Sequence, residues 1–237
     1  MNSILIIGNG NVAWHFRKAM EGIKDLAVQQ IDSRAAKFNC ENVELVIIAV
    51  KDIAIQTVAE KITTKTATVV HTSGFTDMEI LSHCAETYGV IYPLQTLKKG
   101  IAIEYGQMPL CIEAKNERGL RTIKNIAQRI TSQIFEVSSA KRKSLHLAAT
   151  FANNFTNHML GIAKEITERA NLPFEMLFPL IDNTISEIKY NEPYDIQTGV
   201  AVRNDETTIE AHRKMLNDNE RAIYDILTKS IKNKNKQ

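Results

Sequence analysis

Two closely spaced glycines near the start of the chain are the first residues whose types and spacing suggest chemistry. Residues 8–13 read Gly-Asn-Gly-Asn-Val-Ala and follow the apolar run Ile4–Ile7. At a strand-to-helix turn, Gly8 permits a tight bend, Gly10 lets backbone amides approach a pyrophosphate, and Ala13 lets the helix pack against the strand. The amide groups and the dipole of the helix amino end favour an anion there. Tight-turn packing and another nucleotide-like ligand are the alternatives to a dinucleotide. The residues predicted to hold the dinucleotide here are Gly8, Asn9, Gly10, Asn11 and Val12.

A short polar cluster, Asp32, Ser33 and Arg34, follows the second apolar segment, where the adenosine ribose would lie. A carboxylate there would bond a free 2′-hydroxyl, whereas serine and arginine would bind a 2′-phosphate. Alternation along a strand would place Asp32 on the opposite face from Ser33. We therefore favour Ser33 and Arg34 as contacts to a 2′-phosphate, and NADP over NAD. The alternative is a surface turn with a solvated arginine.

Polar residues also follow later apolar runs, and open α/β sheets bind ligands beyond the carboxyl ends of their strands. Val50 and Lys51 are predicted to contact the dinucleotide, although Lys51 could equally belong to a solvated loop. His71 could transfer a proton near neutral pH, or it could be a turn histidine that bonds local backbone. Ser73 has no neighbouring base in sequence, so a cap or a nicotinamide contact suits it better than a nucleophile.

The spacing of apolar residues predicts one long helix, Lys141–Ala170, which also carries several polar residues. Thr150 and Asn154 lie nearly on one face of this helix, and His146 and Asn153 share an adjacent one. Asparagine is a poor choice in the middle of an apolar helix. Each of these asparagines therefore either bonds a neighbouring helix or faces a ligand.

The pattern of apolar segments predicts the elements that position these residues. Residues 1–138 alternate short β-branched runs with amphipathic segments, which predicts an α/β domain with βαβ units and a mostly parallel sheet. Residues 139–237 change to a helical period, which predicts an all-helical second domain. The predicted strands are Ser3–Ile7, Val28–Ile31, Leu45–Val50, Ala67–His71, Val90–Tyr92, Leu110–Glu113 and Ile134–Val137. The predicted helices are Val12–Glu21, Ile53–Lys61, Lys141–Ala170, Phe174–Lys189, Thr207–Leu216 and Asn219–Ile231, and Asp205 or Asn204 is expected to cap the fifth.

Composition excludes several functional classes. The 237 residues include 29 basic and 27 acidic side chains, for a net charge of +2, so nucleic acid is not an expected partner. The longest aliphatic run, Leu45–Val50, is far shorter than the roughly 20 residues of a membrane span. No export signal is recognised at the start, and the three cysteines form no metal-ligand pattern. We therefore expect a cytoplasmic protein that has no membrane segment and no metal site.

Short motifs occur along nearly the whole chain in a characteristic order. They are Gly8–Ala13, Ser33-Arg34, Val50-Lys51-Asp52, His71-Thr72-Ser73-Gly74, Pro93-Leu94-Gln95-Thr96, His146 with Asn154-Phe155, and Thr198-Gly199 with Arg203-Asn204-Asp205. Together they resemble a bacterial oxidoreductase family that joins a Rossmann-like NAD(P)-binding domain to a helical C-terminal domain of unknown function. That family is similar to pyrroline-carboxylate reductase and to deazaflavin-dependent NADP oxidoreductases. The resemblance implies a helical domain like the C-terminal domain of 6-phosphogluconate dehydrogenase, and a homodimer formed through it.

The wider superfamily includes the 6-phosphogluconate and 3-hydroxyacid dehydrogenases, which place a catalytic lysine four residues before an asparagine on the long helix. Asn154 matches that asparagine, but Thr150 stands where the lysine would be. The resemblance therefore leaves three alternatives: His146 as the substitute proton donor, His71 in that role, or no redox chemistry at all.

Two other positions depart from the family pattern. Tyr92 stands where a histidine is typical, and Asn204 stands where a glycine is typical. Next to the second departure, Arg203 is expected to anchor a carboxylate or a phosphate, because a guanidinium can bind either anion with two hydrogen bonds.

The expected function is an NADP(H)-dependent oxidoreductase, with NAD possible, that transfers hydride to or from a small polar substrate in a cleft between the domains. A non-catalytic dinucleotide-binding sensor or scaffold is the alternative that the absent lysine favours, and a methyltransferase is a third. The residues expected to line the substrate pocket are His71, His146, Asn154 and Arg203.

Overall fold

A seven-stranded sheet with the order β2-β1-β3-β4-β5-β6-β7 lies at the centre of the first part of the chain. The computed structural model describes residues 2–234. Residue 1 of the first predicted domain and residues 235–237 of the second lie outside the described residues. The strands are β1 (Asn2–Ile7), β2 (Leu26–Ile31), β3 (Leu45–Ile48), β4 (Thr64–His71), β5 (Ala85–Pro93), β6 (Leu110–Ala114) and β7 (Ile134–Glu136). All neighbouring pairs are parallel except β5 with β6. The seven predicted strands and the mostly parallel sheet are thus confirmed.

The strands are apolar on both faces because the sheet is covered on both sides. Along β1, Ile4 and Ile6 belong to one buried cluster, and Leu5 and Ile7 belong to the other. Alternate side chains of a strand point to opposite faces, so β1, β3, β4 and β5 contribute to both clusters, whereas β6 and β7 contribute to the first one. The result is the three-layer, Rossmann-like α/β arrangement that the sequence predicted.

Helices surround and follow this sheet. They are α1 (Asn11–Met20), α2 (Ile55–Ala59), α3 (Glu117–Ala127), α4 (Ser139–Ala149), α5 (Thr156–Arg169), α6 (Phe178–Glu187), α7 (Glu206–Met215) and α8 (Asp218–Lys234). Short 3-10 segments cover Asp52–Ala54, Met78–Leu81, Tyr105–Gln107 and Phe174–Leu177, and a π-helix covers Thr150–Phe155. In the first part of the chain, α1 and α3 pack on one face of the sheet and α2 packs on the other.

The described chain forms two compact units, one up to Phe155 and one from Thr156 onward. The domain boundary predicted between residues 138 and 139 lies at the start of α4, where the Ser138 hydroxyl caps the helix by accepting from the Lys141 amide. That boundary stays a prediction. The continuous helix predicted over Lys141–Ala170 is present as three successive helical segments, with the π-helix in its middle.

From residue 156 to residue 234, all regular structure in the second unit is helical, as predicted. Its α5 ends before Asn171, which has a left-handed φ of 55°, as asparagine at the end of a helix often does. The Asp205 carboxylate caps α7 by accepting from the Thr208 amide, which confirms the expected cap. The Arg169 guanidinium binds the buried Glu220 carboxylate with two hydrogen bonds of 2.7 and 2.9 Å, and so joins α5 to α8.

Candidate active site

The glycine turn lies at the point where the strand order reverses around β1, which is where doubly wound sheets bind ligands. Gly8 has a φ of 132°, and a Cβ atom there would lie 2.2 Å from the carbonyl oxygen of Ala49. Its amide donates to the Ile31 carbonyl oxygen at 2.9 Å. Only glycine fits this position, because β1 passes so close to the end of β3.

The amino end of α1 opens directly after this turn. Among the described residues, no side chain caps its first turn, and the first turn holds no acidic residue. A Cβ atom at Gly10 would meet nothing within 4 Å. The side-chain oxygen of Asn11 is already used, since it accepts from the Lys99 amide at 3.2 Å. The turn therefore leaves amide groups and open space together, which suits a diphosphate.

A hydrogen-bond network links the glycine turn to the end of β2. The Asn9 amide group donates to the Asp32 carboxylate at 2.8 Å, and the Arg34 guanidinium binds the same carboxylate at 2.8 and 2.9 Å. The Arg34 guanidinium beside Asp32 holds the pKa of that carboxyl well below its usual range. The side chain of Arg34 is 89% exposed in spite of this pair.

The prediction that strand alternation places Asp32 and Ser33 on opposite faces is wrong, because β2 ends at Ile31. Asp32, Ser33 and Arg34 lie in a turn, where Asp32 accepts from the Arg34 amide as well as from its guanidinium. Asp32 and Arg34 therefore form one unit at this edge, and they do not face opposite sides of a strand.

The ends of β3 and β4 are joined by a side-chain hydrogen bond. The Ser73 hydroxyl donates to the Asp52 carboxylate at 2.7 Å and accepts from the Phe75 and Thr76 amides. Ser73 is therefore a turn-stabilising residue. Val50 is half-buried and Lys51 is exposed next to this turn.

His71 is fully buried, and both of its ring nitrogens bond the local backbone. Nδ1 accepts from the Ser73 amide at 3.1 Å, so Nε2 carries the proton and donates to the Asp77 carbonyl oxygen at 3.3 Å. Burial, with Arg142 nearby, lowers the pKa of His71 to about 4. This placement does not suit the proton-transfer role predicted for His71, because neither nitrogen is available to a substrate. The backbone-bonded turn histidine, the alternative in the sequence analysis, fits the geometry.

His146, in contrast, is half-buried and bonds one side chain. Its Nδ1 lies 3.1 Å from the Tyr92 hydroxyl, and the two rings meet edge to face with centroids 5.9 Å apart. A Cβ atom at Gly74 would lie 2.6 Å from His146 Nδ1 and 2.8 Å from the Tyr92 ring. Gly74, the last residue of the His-Thr-Ser-Gly motif, therefore leaves room for the side chains of Tyr92 and His146.

The π-helix presents a run of polar side chains next to His146. The Asn153 amide group donates to the Thr96 hydroxyl at 2.7 Å, so this asparagine bonds the loop after β5. The Thr150 hydroxyl donates to the His146 carbonyl oxygen at 3.1 Å. Thr150 stands at the position where the resembled superfamily has a lysine. Its hydroxyl proton is bonded to the helix backbone, so it does not replace the lysine as a proton donor.

A cavity of about 600 Å³ brings several of these residues together within the first unit. It is bounded by the start of α1, the segment after β5, α4 and the π-helix. Of the predicted site residues, it joins Val12, His146 and Asn154. Arg203 is exposed in the second unit, in the turn before α7. Asn204, beside it, has a left-handed φ of 52°, which explains why a glycine suits the same position in the resembled family.

Sequence reasoning missed two residues that organise this region. Tyr92 was noted only as a departure from a family pattern, although it lines the cavity and bonds His146. Arg142 is fully buried in α4 and binds Glu113 at 2.6 Å, the Thr76 carbonyl oxygen at 2.5 Å and Ser139 at 3.1 Å. An arginine on a helix is usually exposed, so no local signal in the sequence could have found it.

Within residues 2–234, no group of three or more His, Cys, Asp or Glu side chains is placed to hold a metal ion. None of the helices in that same range is long and apolar enough to cross a membrane.

Comparisons with known proteins agree with this architecture. The chain is 33% identical to a crystal structure of a protein from Bacteroides fragilis named as a candidate NADP oxidoreductase, with a TM-score of 0.87 and 98% of each chain covered. The 1-pyrroline-5-carboxylate reductase of Streptococcus pyogenes shares 13% identity, with a TM-score of 0.64 and 98% of each chain covered. An imine reductase from Myxococcus stipitatus, solved in complex with NADP+, shares 10% identity with a TM-score of 0.62, covering 98% of this chain and 92% of that one. The last two show the fold alone.

No curated protein sequence matches the chain significantly. The family model for the domain of unknown function DUF2520 matches residues 108–231, more than half of the chain. The resemblance seen in the sequence is confirmed, and the chain belongs to the DUF2520 family, which carries its helical domain after a Rossmann-like dinucleotide-binding fold.

Proposed function

We propose that this protein is an NADP(H)-dependent oxidoreductase that transfers hydride to or from a small polar substrate. The observation that carries the proposal is the amino end of α1, where uncapped first-turn amides and the open face of Gly10 lie beside the strand-order reversal. A diphosphate fits such a site because helix amides and the helix dipole bind anions. The name of the Bacteroides fragilis relative supports the same cofactor class.

In this proposal the first unit holds the dinucleotide by its backbone and its turn residues. Gly8 and Gly10 admit the diphosphate, Asn9 and Asn11 shape the turn through their side-chain hydrogen bonds, and Val12 lines the adjoining cavity. Val50 and Lys51 lie after the neighbouring strand, at the same edge of the sheet. When bound, a nicotinamide ring supplies or accepts the hydride.

The turn after β2 supports NADP over NAD. Arg34 neutralises Asp32 through two hydrogen bonds, and its own side chain remains exposed. A free carboxylate would repel a 2′-phosphate, whereas a paired carboxylate with an exposed guanidinium and the neighbouring Ser33 can accept one.

The substrate would enter the cavity lined by His146 and Asn154. His146 would hold or move a proton, since it lines the cavity and an imidazole has both a donor and an acceptor nitrogen. Asn154 would donate a hydrogen bond from its amide group. Arg203, which belongs to the second unit, stays a separate prediction as an anchor for a carboxylate or a phosphate.

The decisive experiment uses a substitution that changes the cofactor site and spares the fold. Gly10 has extended backbone and an open Cβ direction, so Gly10→Ala should change the free energy of unfolding by less than about 1 kcal/mol. The added methyl group would occupy the space of the diphosphate, so we expect NADPH affinity, measured by calorimetric titration, to fall at least about tenfold.

Gly106→Ala is the matched control, because a Cβ atom there also meets nothing within 4 Å. It should leave affinity for NADPH unchanged. Equal effects of the two variants, or no affinity of the wild type for NADPH or NADH, would contradict the proposal. Binding of S-adenosylmethionine and of neither nicotinamide cofactor would instead support a methyltransferase.

One observation favours a non-catalytic sensor or scaffold as a second candidate. Thr150 replaces the expected lysine, and its hydroxyl is bonded to the His146 carbonyl oxygen. The two candidates are separated by NADPH absorbance in the presence of small keto acids, imines and aldehydes. Tight NADPH binding with no oxidation across that panel would favour the sensor.

We further propose that the second unit pairs with a second copy of this chain. Only Ala201, Ile209 and Glu220 are buried among its described residues. Large apolar side chains such as Met176 and Leu180 are 65% exposed. A helical unit with so small a core requires a partner surface, and extensive exposed apolar area is typical of an interface.

A further inference from the structure

Tyr92 and His146 form a hydrogen-bonded pair at the wall of the cavity, with their bonded atoms 3.1 Å apart. The proton in this bond could belong to either residue. Which residue donates decides which ring nitrogen of His146 carries its proton in the neutral state.

The surroundings of Tyr92 favour the phenol as donor. Among residues 2–234, the Tyr92 hydroxyl has no hydrogen-bond partner other than His146. If His146 donated instead, the phenol would lose its one protein acceptor among the described residues, and a hydrogen bond within the protein contributes free energy. Burial also raises the pKa of the Tyr92 phenol, which keeps its proton in place. His146 Nδ1 therefore accepts, and Nε2 carries the hydrogen.

The same pairing occurs elsewhere in the chain with its direction fixed. His15 Nδ1 lies 2.9 Å from the Tyr105 hydroxyl, and His15 Nε2 lies 3.1 Å from the Lys98 carbonyl oxygen. A carbonyl oxygen only accepts, so His15 is protonated at Nε2 and receives the Tyr105 hydrogen at Nδ1. The difference is that His146 Nε2 has no such acceptor among the described residues, and His146 lines a cavity.

The charge of the residues that line the cavity limits which groups the His146 Nε2–H can bind. None of the lining residues is lysine, arginine, aspartate or glutamate. Asn154 also lines it, and the described residues offer no acceptor for its amide hydrogens. Two neutral N–H donors in an uncharged cavity suit an uncharged acceptor atom, such as a carbonyl oxygen or an imine nitrogen.

We propose that Tyr92 is a positioning residue that holds His146 as the Nε2–H tautomer, so that His146 donates to the carbonyl oxygen or imine nitrogen of an uncharged reacting group, while Asn154 offers a second donor to the bound molecule. The hydrogen bond from His146 would polarise the double bond of the reacting group. When the carbon gains the hydride, the π electron pair moves to the heteroatom, which then takes one proton from solvent. The part of this inference that concerns the reacting group rests on the proposed function. The tautomer itself does not, because it depends only on the pair.

The test is a two-dimensional ¹H–¹⁵N spectrum of the histidine rings at about pH 8, where an ordinary imidazole is neutral. The His146 signals are identified by their loss in His146→Gln. We expect wild-type His146 to show one hydrogen-bearing nitrogen at Nε2 and one bare nitrogen at Nδ1. In Tyr92→Phe the two signals should move toward a common averaged position, because the bond that selects one tautomer is gone.

Tyr105→Phe is the matched control, since it deletes the same hydroxyl from the His15 pair. It should leave the His146 signals in place. An Nδ1–H tautomer in the wild type, or an unchanged His146 tautomer in Tyr92→Phe, would overturn the inference even if NADPH binds well. Failure of NADPH to bind, with the tautomer as expected, would overturn the proposed function and spare the role of Tyr92.

A second arm tests the reacting group with two compounds that share a five-membered carbon ring, one with a ketone and one with a carboxylate. Cyclopentanone should shift the His146 Nε2 signal of the NADP+-loaded protein, and cyclopentanecarboxylate should not. A larger shift with the carboxylate, or none with either compound, would overturn the assignment of an uncharged acceptor.

Discussion

At the scale of single residues, hydrogen-bond partners separate two histidines that look alike in the sequence. His71 gives both ring nitrogens to the backbone of its own turn, whereas His146 gives one to Tyr92 and lines the cavity. Burial also differs, since His71 is fully enclosed. The first histidine stabilises the turn after β4, and the second is placed for chemistry.

The buried state of His71 predicts a specific dependence of stability on pH. Its pKa is about 4 in the folded protein, against an ordinary value of 6.5, because burial disfavours the charged ring. Between these pH values the unfolded chain therefore binds one more proton at His71 than the folded protein does. The contribution of neutral, buried His71 to the free energy of unfolding is fully present above about pH 6.5 and is lost as the pH falls toward 4. Across this pH range the free energy of unfolding falls by about 3 kcal/mol. Urea unfolding from pH 7.5 to pH 4.5 would measure it, and His71→Gln should flatten this part of the curve. Parallel curves for the two proteins would contradict the prediction.

Residue roles could be predicted from the sequence only where the chemistry is local. The tight bend predicted at Gly8 is present, with a positive φ, because it depends on a turn of a few residues. The diphosphate contact predicted at Gly10 stays a prediction. Tyr92 was not, because its partner is 54 residues away. Arg142 was not singled out from the sequence, because its burial depends on Glu113 from another element.

At the scale of elements, the site depends on how α4 is attached to the sheet. Arg142 connects α4 to Glu113 of β6 and to the Thr76 carbonyl oxygen in the turn after β4. Because His146 lies one turn further along α4, this attachment fixes where the Tyr92–His146 pair meets Gly74. The buried ion pair is therefore a structural support of the candidate active site.

Removing the buried guanidinium should have a large effect on stability. Arg142→Met leaves the Glu113 carboxylate without its cationic partner, and breaking a buried pair from one side costs about 3–5 kcal/mol. Arg121→Ala, which removes the exposed pair with Glu117, should cost less than about 1 kcal/mol. Denaturant unfolding measures both. Similar losses in the two variants would show that Arg142 does not hold α4 in this way.

Elements with a strong apolar pattern were predicted well, and departures from regular geometry were not. The strands were identified by their apolar, β-branched runs. The π-helix at Thr150–Phe155 was not predicted, because its extra residue per turn depends on the hydrogen bonds and packing around it. Helix α3 was also missed, although its Asn116 cap, which accepts from the Gly119 amide, is a recognisable start signal.

At the scale of the whole molecule, burial is distributed unevenly between the two units. The first unit contains both apolar clusters of the sheet, whereas the described part of the second buries three residues. The helical period of the second unit could be read from the sequence. The sequence did not show that its apolar faces exceed what the unit itself can cover.

If two chains pair through the second unit, two different substitutions at one exposed position of that unit should differ in their effect on the oligomeric state. Light scattering should give the wild type a mass of twice 26.7 kDa. Leu180→Glu places a charge on an exposed apolar position of α6, so it should shift the protein toward the monomer and lower its unfolding temperature, because burying an unpaired charge at an interface is costly. Leu180→Met keeps the apolar surface and nearly the same volume, so it should remain dimeric. A monomeric wild type at micromolar concentration, or a dimer that tolerates the glutamate, would show that another partner covers this surface.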